Sequence, residues 1–502
     1  MGFEEIVQGL GHLLPEVVVG GGMLVVLLAD LVPRWRRAVP FLALAALAAA
    51  GAFAAESLAA GGSRGVFGGA CAVDGMASFF KLAFAAAAFL VAAFSVPAIR
   101  GWTSGKGEYF ALLLACTLGM LLMAGAADLL MMYLSVEFVS LTSYVLTGLP
   151  RRDRRSAEAS LKYVIYGAGS SGFMIYGMSF LYGLTGTLDA GEMGRRLAEL
   201  PVPPTMALVT GVLVMAGFGY KVAAVPFHMW CPDVYEGAPT PVTAFLSVGP
   251  KAAGFAVLAR FLWNVIPPGP SGGPFEWRLL LALLAVLTMA VGNLAALHQQ
   301  NLKRLLAYSS IAHAGYILTA FAVFSREAVA AVLFYVAVYV VMNLGAFLGV
   351  LVLEQRHGVE TVDGCRGMGW RAPGLCALMA VFLFSLTGIP PTAGFAAKLI
   401  VFSAVVRYGV EADRSLPAAP LAIPLVVIAV VFTVVSLFYY TRIIAAMFLV
   451  KPREEAPPAA PPGGVYATVL WVLAAGTLVL GIFWGPLQSL AGAASRAILT
   501  RS

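Results

Sequence analysis

Charge is what this sequence has least of. Only 11% of its 502 residues are Asp, Glu, Lys or Arg, against about 25% in soluble domains. A surface that poorly charged cannot solubilise a chain of this size, so a water-soluble globular protein is excluded. Cysteine is also sparse. Cys71, Cys116, Cys231, Cys365 and Cys376 stand far apart and form no CxxC pair, which leaves neither a zinc site nor an iron–sulfur cluster signalled. They read as small apolar packing residues. There is no Walker A loop, no GxGxxG opening a helix after a strand and no nucleophile elbow, so nucleotide hydrolysis, dinucleotide binding and serine-hydrolase chemistry lack their parts. The alternating pattern of a membrane barrel is missing too. The N-terminus, MGFEEIVQGLGHLLPE, is acidic and has no basic stretch before a cleavage site, so no removable signal peptide is expected.

What the chain does have is apolar length. Hydrophobic residues make up 60% and the mean hydropathy is +0.89. Windows of about 18 or more apolar residues, each able to cross a hydrocarbon core of about 30 Å, recur from end to end. Candidate spans fall near 12–32, 39–59, 74–98, 109–126, 127–149, 160–185, 204–225, 240–266, 277–298, 303–325, 327–354, 373–407, 421–449 and 465–490. Lipid offers the backbone no hydrogen-bond partner, so continuous spans must be helices. The expected fold is an all-α polytopic membrane protein of about fourteen transmembrane helices. The longest polar breaks, 188–203 and 451–464, are linker-sized, and no soluble domain fits. Gly125 and Asp128 are the only punctuation between the fourth and fifth spans.

The formal charge of +7 does not point to nucleic acid. Its basic residues gather in the loops after odd-numbered spans: Arg34, Arg36 and Arg37; Arg100 and Lys106; the RRDRR run at 151–155; Lys303 and Arg304; Arg356, Arg366 and Arg371; Lys451 and Arg453. The positive-inside rule then puts those loops in the cytoplasm and both termini on the opposite side.

Against this background a few buried charges stand out. In GFGYKVAAVPFHMWCPDVYEGAPTPVTAFLSVGPKAAG, residues 217–254, Lys221 and Lys251 lie in apolar flanks among five prolines. Pro226 cannot donate a backbone hydrogen bond, so the carbonyl of Val222 loses its partner. Lys221 is about seventeen residues into its span, too deep to snorkel to an interface. Gly249 and Pro250 loosen the helix before Lys251. Lys398, in LTGIPPTAGFAAKLIVF, follows Pro390 and Pro391, whose rings free the carbonyls of Leu386 and Thr387. The two proline breaks stand five spans apart, the pattern of inverted-repeat transporters. An ammonium group, a helix break and apolar flanks recur three times, which suits a polar axis through the membrane.

Glu137, half-way along DLLMMYLSVEFVSLTSYVL, costs several kcal/mol at that depth unless protonated or paired. It is either a neutral acid bonded to a neighbouring helix or a proton-carrying carboxylate whose partner is a buried lysine. His313 in AYSSIAHAGYIL is either a helix–helix hydrogen bonder or a proton relay. His228 in VPFHMW lines the broken segment, as a water-chain ligand or a structural partner. Lys162 either snorkels near RRDRR or is functional, and Lys81 stands near a helix start. His298, Lys303 and Arg304 read as a solvated loop. Gly167, Gly169 and Gly172 in YGAGSSGF fit close helix packing.

Three stretches carry a resemblance: KVAAVPFHMWCPDVYEGAPTPVTAFLSVGPKAAGFA, NLKRLLAYSSIAHAGYIL and SLTGIPPTAGFAAKLIVF. In this order they resemble the antiporter-like membrane subunits of proton-pumping NADH–quinone oxidoreductase (respiratory complex I), the N-type subunits most closely, over nearly the whole chain. The resemblance implies one membrane domain over 1–502: three helices in 1–108, inverted five-helix repeats at 109–266 (helices 4–8) and 277–449 (helices 9–13), and a last helix at 465–490. Helices 7 and 12 are expected to be broken. It also implies that Glu137 pairs with Lys221, that Lys251 carries charge onward, that Lys398 faces the exit and that His313 lies on the connecting axis. NADH, FMN, iron–sulfur clusters and quinone are expected in partner subunits, with no cofactor or metal in this chain. Expected partners are the other membrane-arm subunits, neighbouring antiporter-like ones included, and the lipid bilayer; the expected location is the bacterial inner membrane. A lysine after GIPPTAGF separates this chain from the M-type subunit, which resembles it but has glutamate there. The alternative reading is a subunit of a multi-subunit cation/proton antiporter built on the same repeat.

Overall fold

A computed structural model of the protein describes residues 3–102, 105–150, 152–265, 277–411, 419–451 and 463–498. In chain order these form α1 (Phe3–His12), α2 (Leu14–Leu31), α3 (Val39–Ala60), the strands β1 (Arg64–Val66) and β2 (Cys71–Val73), α4 (Gly75–Ala98), α5 (Lys106–Gly125), α6 (Leu129–Thr147), α7 (Arg154–Thr185), α8 (Ala190–Glu199), α9 (Pro204–Val222), α10 (Trp230–Gly237), α11 (Thr240–Val265), α12 (Trp277–Leu297), α13 (Leu302–Val323), α14 (Arg326–His357), α15 (Met368–Arg371), α16 (Pro373–Thr387), α17 (Ala393–Glu411), α18 (Ala419–Phe448), α19 (Val465–Ile482) and α20 (Gly485–Arg496). Fourteen of the helices are long and apolar enough to cross a membrane. The expected all-α polytopic fold is the fold observed.

Short polar residues start the spans. Asp74, Asp128, Asp153, Asn301 and Ser325 are the N-caps of α4, α6, α7, α13 and α14, each accepting a backbone N–H of the first turn. Such a cap satisfies one of the donors that a helix start leaves open, and in lipid water cannot replace it. Asp128 is thus the punctuation between α5 and α6. The core runs through α11, whose spanning window is wholly buried, with α13 and α14 nearly so. α11 packs on α14, α4, α5, α8 and α9, while α2, α3 and α18 turn most of their surface outward.

Four features depart from the sequence reading. β1 and β2 pair as an antiparallel hairpin in the connection between the second and third spans, where no strand was expected. The polar break at 188–203 holds the amphipathic α8. The last span ends at Ile482, and α20 turns off after Trp484. Pro250 sits inside α11 without breaking it. Arg151 of the basic run, Arg453 and the Pro-rich stretch 452–462 lie outside the described residues.

Candidate functional site

The break expected near Pro226 is there, and several of its backbone groups find partners. α9 ends at Val222, with Ala223 capping it in the left-handed region at φ 58°. Ala224 N–H returns to the Gly219 carbonyl at 2.7 Å. Val225 N–H is taken by the Thr288 hydroxyl of α12 at 3.0 Å, and Trp230 Nε1 donates to the Tyr220 carbonyl at 3.1 Å. A buried backbone group without a partner is costly, so Thr288 and Trp230 are what make the break affordable in an apolar interior. Lys221 occupies the last turn of α9 and is 2% exposed.

Lys221 Nζ donates to the Ser140 hydroxyl of α6 at 2.9 Å. Glu137 stands three residues earlier on the same helix, hence on the same side. Its carboxylate accepts from the Ser171 hydroxyl of α7. Glu137 and Lys221 are therefore near each other but not in contact, with hydroxyl groups holding each in place. Glu137 is only half-buried, beside an outward apolar stripe of Leu130, Leu134, Leu141 and Val145.

Pro250 removes the N–H that would have met the Leu246 carbonyl. The Tyr235 hydroxyl of α10 donates to that carbonyl at 3.2 Å. The same Tyr235 ring lies 5.5 Å from Lys251 Nζ, and the ammonium itself donates to the Ser310 hydroxyl of α13. One tyrosine thus seals the proline defect and faces the lysine beside it.

α13 carries the line onward. Ser310, His313 and Tyr316 follow at intervals of three and share a face. His313 Nδ1 bonds the Tyr335 hydroxyl of α14 at 2.7 Å, and Nε2 meets the Tyr440 hydroxyl of α18 at 3.4 Å; Tyr440 also bonds Ser309. The Tyr316 ring lies 4.7 Å from Lys398 Nζ. Lys398 donates to the Thr387 carbonyl at 2.8 Å and the Leu386 carbonyl at 3.2 Å. These are the two carbonyls that Pro390 and Pro391 were expected to free. They form the negative end of α16, which favours a cation, and Gly388 closes that helix at φ 91°. The line Lys251–Ser310–His313–Tyr316–Lys398 is wholly buried.

His228 is buried in the α9–α10 connection, and its Nδ1 has no partner. Lys162 lies elsewhere. Its side chain is 40% exposed and pairs with Glu158 at 2.8 Å and Asp233 at 2.9 Å. Arg304 joins the same network through Asp233 at 2.6 Å and Glu236 at 3.0 Å. The loop reading of Lys303 and Arg304 is corrected here: Lys303 is buried and donates to the Ala238 carbonyl at 3.1 Å, because α13 begins at Leu302 beneath the α10–α11 turn. Gly167 packs against Tyr144 and Tyr220, as expected, but Gly169 and Gly172 have open space where a Cβ would stand. Among the described residues no group of three or more His, Cys, Asp or Glu could hold a metal ion. The sequence reading missed Ser140, Ser171, Ser310, Tyr235, Tyr335 and Tyr440. Single serines and tyrosines in apolar helices carry no spacing signal; only the partner helix shows their use.

Residues 126–412 match the family described as NADH:quinone oxidoreductase/Mrp antiporter, TM. The chain is 45% identical over 497 residues to NADH-quinone oxidoreductase subunit N 2 of Sorangium cellulosum, covering 96% of each. A chain of respiratory complex I from Thermus thermophilus with bound aureothin superposes with a TM-score of 0.77 at 32% identity, covering 95% of this chain and 99% of that one. A chain of the Mrp complex from Dietzia sp. DQ12-45-1b has the same fold, with a TM-score of 0.82 at 23% identity over 96% of both.

Proposed function

The chain belongs to the NADH:quinone oxidoreductase/Mrp antiporter family of membrane subunits, and from that premise we propose that it is the N-type membrane-arm subunit of a proton-translocating NADH–quinone oxidoreductase. The observation that carries this is the set of three lysines, Lys221, Lys251 and Lys398. Each is at most 4% exposed and is held by hydroxyl or carbonyl oxygens rather than by a carboxylate. An ammonium so placed is not neutralised by a fixed counter-charge. Deprotonation relieves its desolvation and protonation regains its hydrogen bonds, so a small change in a neighbouring charge moves the proton. Glu137 is the neighbour able to make that change at Lys221. Ser310, His313 and the tyrosines around them supply groups that both donate and accept, as proton transfer between Lys251 and Lys398 requires. His228 serves the break in the first half. Lys162 steadies the entrance through Asp233.

The two proline breaks support repeats at 109–266 and 277–449, with helices 4–8 and 9–13 as the units. Redox chemistry, with its NADH, FMN, iron–sulfur clusters and quinone, belongs to partner subunits. The half-buried Glu137 beside an outward apolar stripe suits a neighbouring antiporter-like subunit against α6. The inner membrane is the proposed location, with both termini outside the cytoplasm. Purification in mild detergent tests the reading: the chain should co-purify with NADH-oxidising subunits, and NADH oxidation in vesicles should build a proton gradient without added sodium. Purification free of any redox partner, with sodium-dependent transport, would instead make it an antiporter subunit.

A further inference from the structure

A cavity of about 360 Å³ opens between α14, α17 and α20, and none of the lysine-axis residues lines it. Its volume falls in the range of about 300–1,000 Å³ that small-molecule sites occupy. Small side chains make the space: Ala330 and Ala331 of α14 and Ala404 of α17, with Ile400 below them. The mouth lies at the helix ends, since Glu327 is the second residue of α14 and Arg407 stands four residues before the end of α17. From Arg407 back to Ile400 is seven residues, so the cavity reaches about 10 Å inward at about 1.5 Å per residue. A Cβ on Gly75 would fall 3.1 Å from Ala494 Cα, which puts α20 and this mouth on the face that bears the β1–β2 hairpin. Leu399, Val406 and Val410 expose apolar surface along the same helix, α17.

The mouth carries both signs of charge. The Arg407 guanidinium pairs with Glu327 at 3.2 Å and Glu411 at 3.8 Å. Arg496 Nη1 of α20 stands 3.6 Å from where a Cβ on Gly492 would be, and Gly492 lines the cavity. Two guanidinium groups and two carboxylates therefore meet there among the described residues, and their charges balance. The Arg407 and Glu327 side chains are 62% and 58% exposed. An exposed pair of this kind is held weakly, so either partner is available to a ligand. Arg326, the next residue in the chain, is turned away over the Trp263 ring at 5.7 Å. Between mouth and floor, the Ser403 hydroxyl donates to the Ile400 carbonyl at 3.0 Å and keeps its lone pairs for a donor. Gln488 adds an amide that both donates and accepts.

We infer that this cavity is a binding site for a phospholipid with an ethanolamine headgroup. Its phosphate meets Arg407 and Gln488, its ammonium meets Glu327 and Glu411, and the start of its acyl chains lies against Ala330, Ala331, Ile400 and Ala404. The balanced mouth selects a zwitterion. A purely anionic headgroup would find a guanidinium but also two carboxylates, whereas a zwitterion has both of its charges matched. Guanidinium suits phosphate through paired N–H donors. An ethanolamine ammonium has N–H groups for the carboxylates. A choline head has none and is recognised by aromatic faces, and no lining residue is aromatic. The apolar floor holds water poorly and suits hydrocarbon. The inference needs only a chain that stands in a membrane, and it goes beyond the proton-translocating reading without resting on it.

The test purifies the protein in mild detergent with the subunits that accompany it and incubates it with vesicles of equal phosphatidylethanolamine and phosphatidylglycerol. After washing, mass spectrometry counts the lipids that remain per protein. Arg407→Gln and Glu327→Gln remove the headgroup contacts, and Ala404→Leu fills the cavity. The proposal expects the wild type to keep one phosphatidylethanolamine more than each variant, with the phosphatidylglycerol count the same in all. The two exposed variants decide the matter if Ala404→Leu does not assemble. Equal phosphatidylethanolamine counts in the wild type, Arg407→Gln and Glu327→Gln would overturn the proposal. A difference that falls on phosphatidylglycerol would overturn it too. So would cross-linking of Ser403→Cys to a neighbouring subunit with no difference in lipid, which would make this face a protein interface.

Discussion

Lys221 Nζ donates its hydrogen bond to the Ser140 hydroxyl at 2.9 Å, not to the carboxylate that stands one helical turn away on the same helix. In this arrangement Glu137 accepts from the Ser171 hydroxyl and the lysine is solvated by a neutral oxygen. Ser140→Ala should therefore impair the lysine without touching the acid. Losing a hydrogen bond to a charged group costs about 1.5–3 kcal/mol, so the protonated form should lose a factor of about 10–150. Ser140→Thr keeps the hydroxyl and should restore proton movement. Comparing gradient formation in the two variants at equal complex content checks this; equal impairment would show that volume, not the hydroxyl, matters.

Glycines at the break between α16 and α17 leave no room for a side chain. A Cβ on Gly394 would fall 1.8 Å from the Ser385 carbonyl oxygen, and one on Gly481 would fall 2.1 Å from that of Pro391. Backbone cannot give way there. Gly394→Ala and Gly481→Ala should abolish assembled complex, and Gly167→Ala, aimed at the Tyr144 hydroxyl, should reduce it. Gly169→Ala and Gly172→Ala meet nothing within 4 Å and should assemble normally if no partner subunit covers that face. Blue-native gels of membranes from each variant provide the readout.

The Asp74–Arg260 clamp is fully buried. Removing one partner of such a pair costs about 3–5 kcal/mol, whereas replacing both with apolar groups of like volume is often neutral. Asp74→Ala should sharply lower thermal stability, and Asp74→Leu combined with Arg260→Met should recover much of it. Thermal unfolding in detergent, followed by intrinsic fluorescence, distinguishes this from a chemical role.

Burial pushes the Cys71 thiol up to about 11, and the negative charge of Glu16 adds to the shift. Thiolate is the reactive form. A rise from 9 to about 11 leaves roughly 100-fold less of it at neutral pH, in a side chain that is also nearly inaccessible. Reactivity should stay low until the pH rises toward the raised value. Cys71 should resist maleimide at pH 7.5 in the folded protein and react on unfolding, as mass spectrometry of the labelled peptide would show. Ready labelling of folded protein would contradict the packing of the hairpin.

The spans were legible because lipid imposes a length and forbids charge, so hydropathy alone marks them. The lysines were legible for the same reason. Between α16 and α17 the prolines told more than position: they named the carbonyls of Leu386 and Thr387 that Lys398 meets. At Pro250 a loosened helix was expected, whereas Tyr235, eleven residues before Leu246 and on another helix, donates to the Leu246 carbonyl and α11 runs on unbroken. The hydroxyl groups along the axis were not legible. A serine such as Ser310 means nothing until α11 brings Lys251 against it. The buried status of Lys303 was hidden likewise, since a basic residue at a span start reads as solvated unless the turn above it is known.

Lys221→Ala in the intact complex tests the central claim most directly. The ammonium disappears while α9, its break and the Thr288 and Trp230 contacts remain, so the complex should assemble and transfer electrons, and the ratio of protons moved to electrons transferred should fall. Measured in proteoliposomes with a pH-sensitive dye against NADH consumption, a lowered ratio at full assembly is the predicted result. An unchanged ratio would contradict the account.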